Sequence, residues 1–347
     1  MAAQKVEMKS VRPRIAVSNW VHDDILARLA AIGEVDANRT RTPWPRAELT
    51  RRAAAADALL AFMTDHVDAD FLAACPRLKV IACALKGFDN FDVEACSAAG
   101  VWITIAPDLL TDPTAELAVA LALGLGRKLR HGDALVRSGS FEGWRPILYG
   151  TGLDQSVVGI VGMGAVGRAI ARRLSGFGCR MLGVDPKCEA PPGVSPCDLR
   201  IALAASDCLM LAVPLAADTL HLIGGDALKH MKLDALLVNV GRGSVVDESA
   251  VADALERGRL GGYAADVFEM EDWAHQARPR AIEPRLLLHP HTLFTPHLGS
   301  AVDRVRREIA LQAADDIAAA LSGRAPRHAI NQPSRPQVRA RASASLP

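Results

Sequence analysis

The sequence predicts an α/β protein with two doubly wound parallel sheets, and three observations carry that expectation. Short apolar runs alternate with helical stretches in two separate series. The second series opens on a glycine-rich turn between a strand and a helix. A long amphipathic segment, AVDRVRREIALQAADDIAAALSG, then closes the pattern at Gly323.

The first series runs through residues 11–108. PRIAVS (13–18) reads as a strand, VHDDILARLAAIG as a helix closing on Gly33, and ALLAFM (58–63) as a second strand. DADFLAACPRL follows as a short helix, then KVIACAL (79–85) and GVWITIAP (100–107) as strands. The second series, within 109–299, contains SVVGIVG, RMLGVD, DCLMLAVP, ALLVNVG, GYAADVF and TLFTPHLG. These runs lack the strict alternation of a half-exposed sheet, as expected of strands buried on both faces. In the closing helix Val302, Val305, Ile309 and Ile317 form one apolar stripe. Residues 331–347 are rich in Pro, Arg and Ser and read as a disordered tail.

Bulk properties narrow the function classes. A chain of 347 residues can build two cores, and its net charge of +1 offers no field for nucleic acid or an anionic membrane. Seven cysteines without a C-x-x-C pair argue against a disulfide framework or a zinc site and for a reducing, cytoplasmic setting. TAELAVALALGLGRKL (114–129) is apolar on every face, yet too short to span a bilayer and interrupted by Gly124 and Gly126. It reads as a helix buried between domains or subunits.

VVGIVGMGAVGRAIARRL (157–174) joins a strand to a helix through Gly162, Gly164 and Gly167, with Asp185 ending the next strand. This is the dinucleotide fingerprint of a Rossmann-like domain: a tight turn, close approach of backbone to a pyrophosphate, and close helix packing. Ala165 and Val166 open the helix whose free N–H groups meet the phosphates. Asp185 would accept from the ribose hydroxyls and repel a 2′-phosphate, favouring NAD, while Lys187 leaves room for some NADP. Three later strand ends carry chemistry: Arg242 in NVGRGSVVDE, the acids Glu269, Glu271 and Asp272 in DVFEMED, and His297 in TPHLGS. A histidine that exchanges protons needs a carboxylate to orient it, and arginine binds oxyanions bidentately.

The order GMGAVG, NVGRGSVVDE, GYAADVFEMED, TPHLGS resembles the D-2-hydroxyacid dehydrogenases over residues 13–330. The resemblance implies a catalytic trio of Arg242, Glu271 and His297, with Glu271 supporting His297. It also implies a discontinuous substrate domain (11–108 with 300–330) around an NAD domain (109–299), and a homodimer with residues 114–129 near its interface. Thr114, Lys86, Val213, Pro214, Val240, Asp266 and His297 would neighbour the cofactor. ALKGFDNFD, PDLLTDPTAE, GWRPILYGTGL and AADVFEMEDW are similar, more narrowly, to the phosphite (phosphonate) dehydrogenases of that family. That likeness implies Lys86 and Arg242 as clamps on phosphite, with Gly87, Met63 and Ser300 beside it. Trp144 and Tyr149 would screen the site, supplied across the dimer. An ordinary D-2-hydroxyacid dehydrogenase for a small acid is the alternative, and a cofactor-sensing corepressor on the same frame a more distant one.

Overall fold

A computed structural model describes residues 12–333 except 274. The chain divides into two compact units, Met1–Pro107 with Arg306–Pro347, and Asp108–Val305.

Unit one carries a five-stranded parallel sheet of β1 (Arg14–Val17), β2 (Glu34–Ala37), β3 (Ala58–Ala61), β4 (Val80–Cys83) and β5 (Trp102–Thr104), in the order β2-β1-β3-β4-β5. Ile15, Val17, Leu59, Leu60, Ile81 and Ile103 are wholly buried. β2 and the helix Arg46–Ala53 escape the sequence reading because EVDA and RAELTRRA are largely polar. The closing helix Asp303–Leu321 contributes buried Ile309 and Ile317. It is tied to this unit by Arg307–Asp24 and Arg28–Asp315 pairs. Val302, expected on its stripe, precedes the helix in a turn and is 42 % exposed. The tail begins later than expected: Asn331 is buried and bonds Ile103 N, Ser97 Oγ and Val101 O. Residues 334–347, the rest of the expected tail, lie outside the described residues.

One buried acid fastens the end of β3. Asp65 accepts from Phe62 N at 2.8 Å and from Ser18 Oγ, and burial pushes its carboxyl up to about 6. A carboxyl raised in the folded state holds its proton there while the unfolded chain has released it. Stability therefore falls as pH rises from about 4 to about 6, by up to about 1.4 kcal/mol per pH unit from this group. Thermal unfolding of Asp65→Asn across pH 4.5–7 is expected to lose that part of the slope.

Unit two carries seven parallel strands: β6 (Val157–Val161), β7 (Arg180–Val184), β8 (Val194–Pro196), β9 (Cys208–Leu211), β10 (Leu236–Asn239), β11 (Gly262–Ala265) and β12 (Thr292–Phe294). Their order is β12-β11-β10-β9-β6-β7-β8. The run CEAPPGVSPCD hides β8, whose Pro196 is tolerated because the strand lies at the sheet's edge. The apolar helix is Thr111–Gly126; Ala115, Ala118, Leu121 and Ala122 are buried, and it packs on the helix Ala165–Leu174. A Cβ on Gly124 would stand 2.8 Å from Leu293 Cδ2. Beyond Lys128, the helix Leu129–Arg137 has no buried residue. No described helix is long and apolar enough to cross a membrane.

Both sheets are doubly wound. Chain direction across each sheet reverses where successive loops part to opposite sides, beside β1 in unit one and beside β6 in unit two. Ligands of such sheets bind at the carboxyl ends of the strands at those points.

Candidate active site

In unit two the glycine turn follows β6 at its switch point. Gly162 has φ +97°, a left-handed conformation that disfavours side chains. A Cβ on Gly167 would lie 1.8 Å from Gly162 O, whereas one on Gly164 meets nothing within 4 Å. One glycine thus makes the turn, one lets the helix close on it, and one leaves open space at the N-terminus of Ala165–Leu174. That pattern fits a dinucleotide pyrophosphate. Gly167→Ala should displace turn and helix together, with about 1–3 kcal/mol lost. Thermal unfolding and NADH binding on the same variant check this.

Asp185 follows β7. Its carboxylate accepts from Met163 N, Lys187 N and Cys188 N at 2.8–3.0 Å. Partial burial raises its pKa, but these three N–H groups outweigh that and hold it below the usual range. Asp185 is therefore a fixed anion at neutral pH, suited to ribose hydroxyls and hostile to a 2′-phosphate. After β9, Val213 approaches closely: its carbonyl oxygen would be 2.6 Å from a Cβ on Gly241. Val240 is buried and Pro214 exposed.

The trio is built at the ends of β10, β11 and β12. Asn239, fully buried, accepts from Gly241 N and donates to Arg242 O, folding the backbone into the turn that presents Arg242. Glu271 Oε1 accepts from Phe268 N at 2.9 Å, and Oε2 meets His297 Nδ1 at 2.7 Å. His297 has φ +57°, and its N–H bonds Asp266 O and Thr295 O. Both ring and backbone are thus held, leaving Nε2 as the nitrogen for proton exchange. Histidine and glutamate are each about 30 % exposed, within reach of a small ligand.

The expected cofactor neighbour Asp266 is 2 % exposed. It accepts from Thr295 Oγ1, Leu298 N and Gly299 N, so it shapes the His297 loop directly. Burial raises its pKa against those bonds. A Cβ on Gly299 would stand 3.1 Å from Thr114 Oγ1, and Ser300 is buried beside it in the chain. Trp144 and Tyr149 are 81 % and 70 % exposed, so neither is walled in by its own chain.

In unit one, Lys86 and Gly87 follow β4, both half-buried. The loop is pinned by Ala84 N to Ala61 O and Ala106 N to Leu85 O. Met63 follows β3, its carbonyl held by Asn90 Nδ2 at 3.1 Å. A cavity of about 260 Å³ at the β1–β3 switch point is lined by Asn19, Trp20, Phe62, Met63, Thr64 and Arg306, among others. Arg306 is the residue that sequence reasoning missed. Its guanidinium donates to Ala84 O at 3.1 Å, lies 5.7 Å over the Phe62 ring, and is pushed by burial below arginine's usual pKa. Even a half-buried arginine is costly unless it serves an anion or a backbone. Its only sequence signal is its place in DRVRREIA, among other charges.

The glycine turn, the fixed acid and the histidine–glutamate pair all stand after strands of the unit-two sheet. Residues 119–299 match the D-isomer specific 2-hydroxyacid dehydrogenase NAD-binding domain. The chain is 34% identical over 331 residues to glyoxylate reductase of Thermococcus litoralis, covering 93% of this chain and 98% of that one. The chain belongs to the D-isomer specific 2-hydroxyacid dehydrogenase family. A crystal structure of a Thermus thermophilus protein superposes with a TM-score of 0.85 at 34% identity, over 92% of this chain and all of the other. The NADPH-dependent glyoxylate/hydroxypyruvate reductase of Sinorhizobium meliloti, solved with NADP and malonate, gives 0.80 at 29%, over 92% and 97%. These two reductases are named for glyoxylate and hydroxypyruvate, and neither bears out the narrower likeness to phosphite dehydrogenases. The chain is thus an oxidoreductase of this family with an NAD-binding domain, and its substrate is a separate question.

Proposed function

We propose that this dehydrogenase oxidises phosphite to phosphate with NAD, using Lys86, Arg242 and the His297–Glu271 pair. The balanced reaction is phosphite, NAD and water giving phosphate, NADH and a proton. The observation that carries this reading is the cationic end of unit one, where Lys86 follows β4 and the half-buried Arg306 donates to Ala84 O in the same loop. Phosphite is a compact dianion with almost no apolar surface, so charge must supply its binding. A 2-oxo acid such as glyoxylate carries a single carboxylate and asks for less positive charge.

When bound, the nicotinamide supplies the hydride acceptor. Arg242, in unit two, offers a guanidinium for the phosphite oxygens, and Lys86, in unit one, offers a second positive charge of the kind a dianion requires. His297 takes a proton from the attacking water at Nε2, and Glu271 stabilises the imidazolium that results. Gly87, Met63 and Ser300 line the substrate, while Thr114, Val213, Pro214, Val240 and Asp266 border the nicotinamide end. Lys187 permits some use of NADP. In a homodimer, the exposed arm with Phe141, Trp144 and Tyr149 buries its aromatic surface against the partner copy and screens the site from water. Its seven cysteines, all free, fit a reducing cytoplasm.

A second reading is reduction of a small 2-oxo acid to its D-2-hydroxy acid. The glyoxylate reductases among the relatives support this reading and lend no support to phosphite, and the same trio serves it. There Arg242 holds the carboxylate and the carbonyl oxygen, and His297 donates the proton. Initial rates at 340 nm, with NAD plus phosphite and with NADH plus glyoxylate, separate the two. Phosphite turnover at least a hundredfold above glyoxylate turnover in kcat/KM upholds the first reading, and the reverse ratio upholds the second. Lys86→Ala should cost ten- to a hundredfold in kcat/KM for phosphite, the loss of about 1.5–3 kcal/mol expected for a charged hydrogen bond.

A further inference from the structure

The acidic run DVFEMED places three carboxylates on one short 3-10 turn, Glu269–Glu271, and at Asp272 directly after it. Only Glu271 faces His297. Asp272, 2 % exposed, turns the other way and accepts from Ser244 N at 2.7 Å. Glu269 accepts from Glu248 N at 2.9 Å and meets His221 Nε2 at 3.0 Å, and Glu248 returns a bond to Glu269 N. His221 N donates to Ser244 O. A Cβ on Gly243 would fall 1.9 Å from the carbonyl carbon of Phe268, so the two backbones are in direct contact.

Apart from the His221–Glu269 contact, each of these bonds ends on the segment 242–248. The 3-10 turn Gly243–Val245 is gripped through the Ser244 amide by Asp272 and through its carbonyl by His221. Behind it, Glu269 fixes the amide of Glu248. The acid that orients His297 and the acid that grips the Arg242 turn are thus neighbours in sequence, on a backbone that cannot move one without the other.

We infer that Asp272 is a positioning residue for Arg242: it holds the Ser244 amide and thereby sets where the guanidinium stands relative to the His297–Glu271 pair. At 2 % exposure Asp272 offers almost no surface to a substrate or cofactor. For the Ser244 N–H one accepting oxygen at that place suffices, and an asparagine amide also offers one. Asn239 fixes the turn from the side preceding Arg242, and Asp272 from the side following it. The inference rests on the proposed role of Arg242 at the substrate, and the test separates the two.

The experiment compares wild type, Asp272→Ala, Asp272→Ser and Asp272→Asn, using phosphite or glyoxylate, whichever the wild type turns over. Asp272→Ala should raise the substrate KM at least tenfold while leaving the KM for NAD(H) within twofold, because the glycine turn after β6 is not involved. Asp272→Asn, whose amide oxygen can still accept from Ser244, should recover to within threefold of wild type. Asp272→Ser, too short to reach, should resemble the alanine variant and stands in for it should that one not fold. Amide hydrogen exchange on the same proteins needs no substrate: exchange over residues 242–248 should rise at least tenfold in Asp272→Ala, with residues 162–167 unchanged. A wild type inactive on both substrates overturns the proposed function and leaves exchange to judge this inference. Unchanged exchange over 242–248, a substrate KM within twofold of wild type, or an asparagine variant as defective as alanine overturns the role of Asp272.

Discussion

Replacing His297 by asparagine should lower kcat by a factor of about 10²–10⁴, the range that a positioned general base contributes. The KM for NAD should stay within twofold, because the dinucleotide turn at Gly162, Gly164 and Gly167 is independent of the 295–299 loop. The geometry dictates this asymmetry. His297 is fixed by Glu271 at Nδ1 and by backbone bonds at its own amide, so the ring is presented for proton exchange and for little else. Glu271→Gln keeps the bond to Phe268 N but cannot stabilise an imidazolium, so kcat should fall less, by about tenfold or more. Single-turnover measurements at saturating NAD check both. A His297→Asn enzyme with kcat within threefold of wild type would remove the histidine from the chemistry.

The second large effect concerns the cofactor. Asp185→Ser should raise kcat/KM for NADP at least tenfold and lower it for NAD by a similar factor. Asp185 is an anion held below its usual pKa by three backbone N–H groups, and a 2′-phosphate would meet it at short range. Lys187, exposed two residues on, and Arg168, which donates to Met163 O and Glu189 O, then remain as the cations able to receive the phosphate. Parallel titrations of NAD and NADP at fixed substrate read the ratio. An unchanged NADP preference would show that Asp185 shapes the loop without discriminating between cofactors.

These two sites were legible in the sequence for a shared reason. Gly162 is dictated by its left-handed backbone and Gly167 by close approach to Gly162 O, while Arg242 stands between two glycines and His297 between a proline and Leu298-Gly299, at strand ends where little but a ligand needs them. The two parallel sheets were legible from apolar runs such as VVGIV and LLVN, which a sheet buried on both faces requires. What was not legible depended on contacts between distant parts of the chain. Arg306 lies in a helix of charged residues, and only its partial burial over Phe62 and against Ala84 O sets it apart from the exposed Arg304 and Arg307. Glu269, Glu271 and Asp272 are chemically alike and nearly adjacent. Which of them faces the histidine is decided by the 3-10 turn and by the partners Glu248 and Ser244, more than 20 residues upstream. β8 was hidden because prolines usually exclude a strand, and here the edge position excuses them.

Phosphite oxidation requires that a hydride pass from phosphorus to the nicotinamide, and phosphite carrying deuterium on phosphorus makes that transfer visible. Incubated with the enzyme and NAD in ordinary water, it should yield phosphate and NADH in equal amounts, with one deuterium at C4 of the dihydronicotinamide by mass spectrometry and NMR. NADH without deuterium, or no NADH while glyoxylate and NADH are consumed under the same conditions, would overturn phosphite oxidation and make the enzyme a 2-oxo acid reductase.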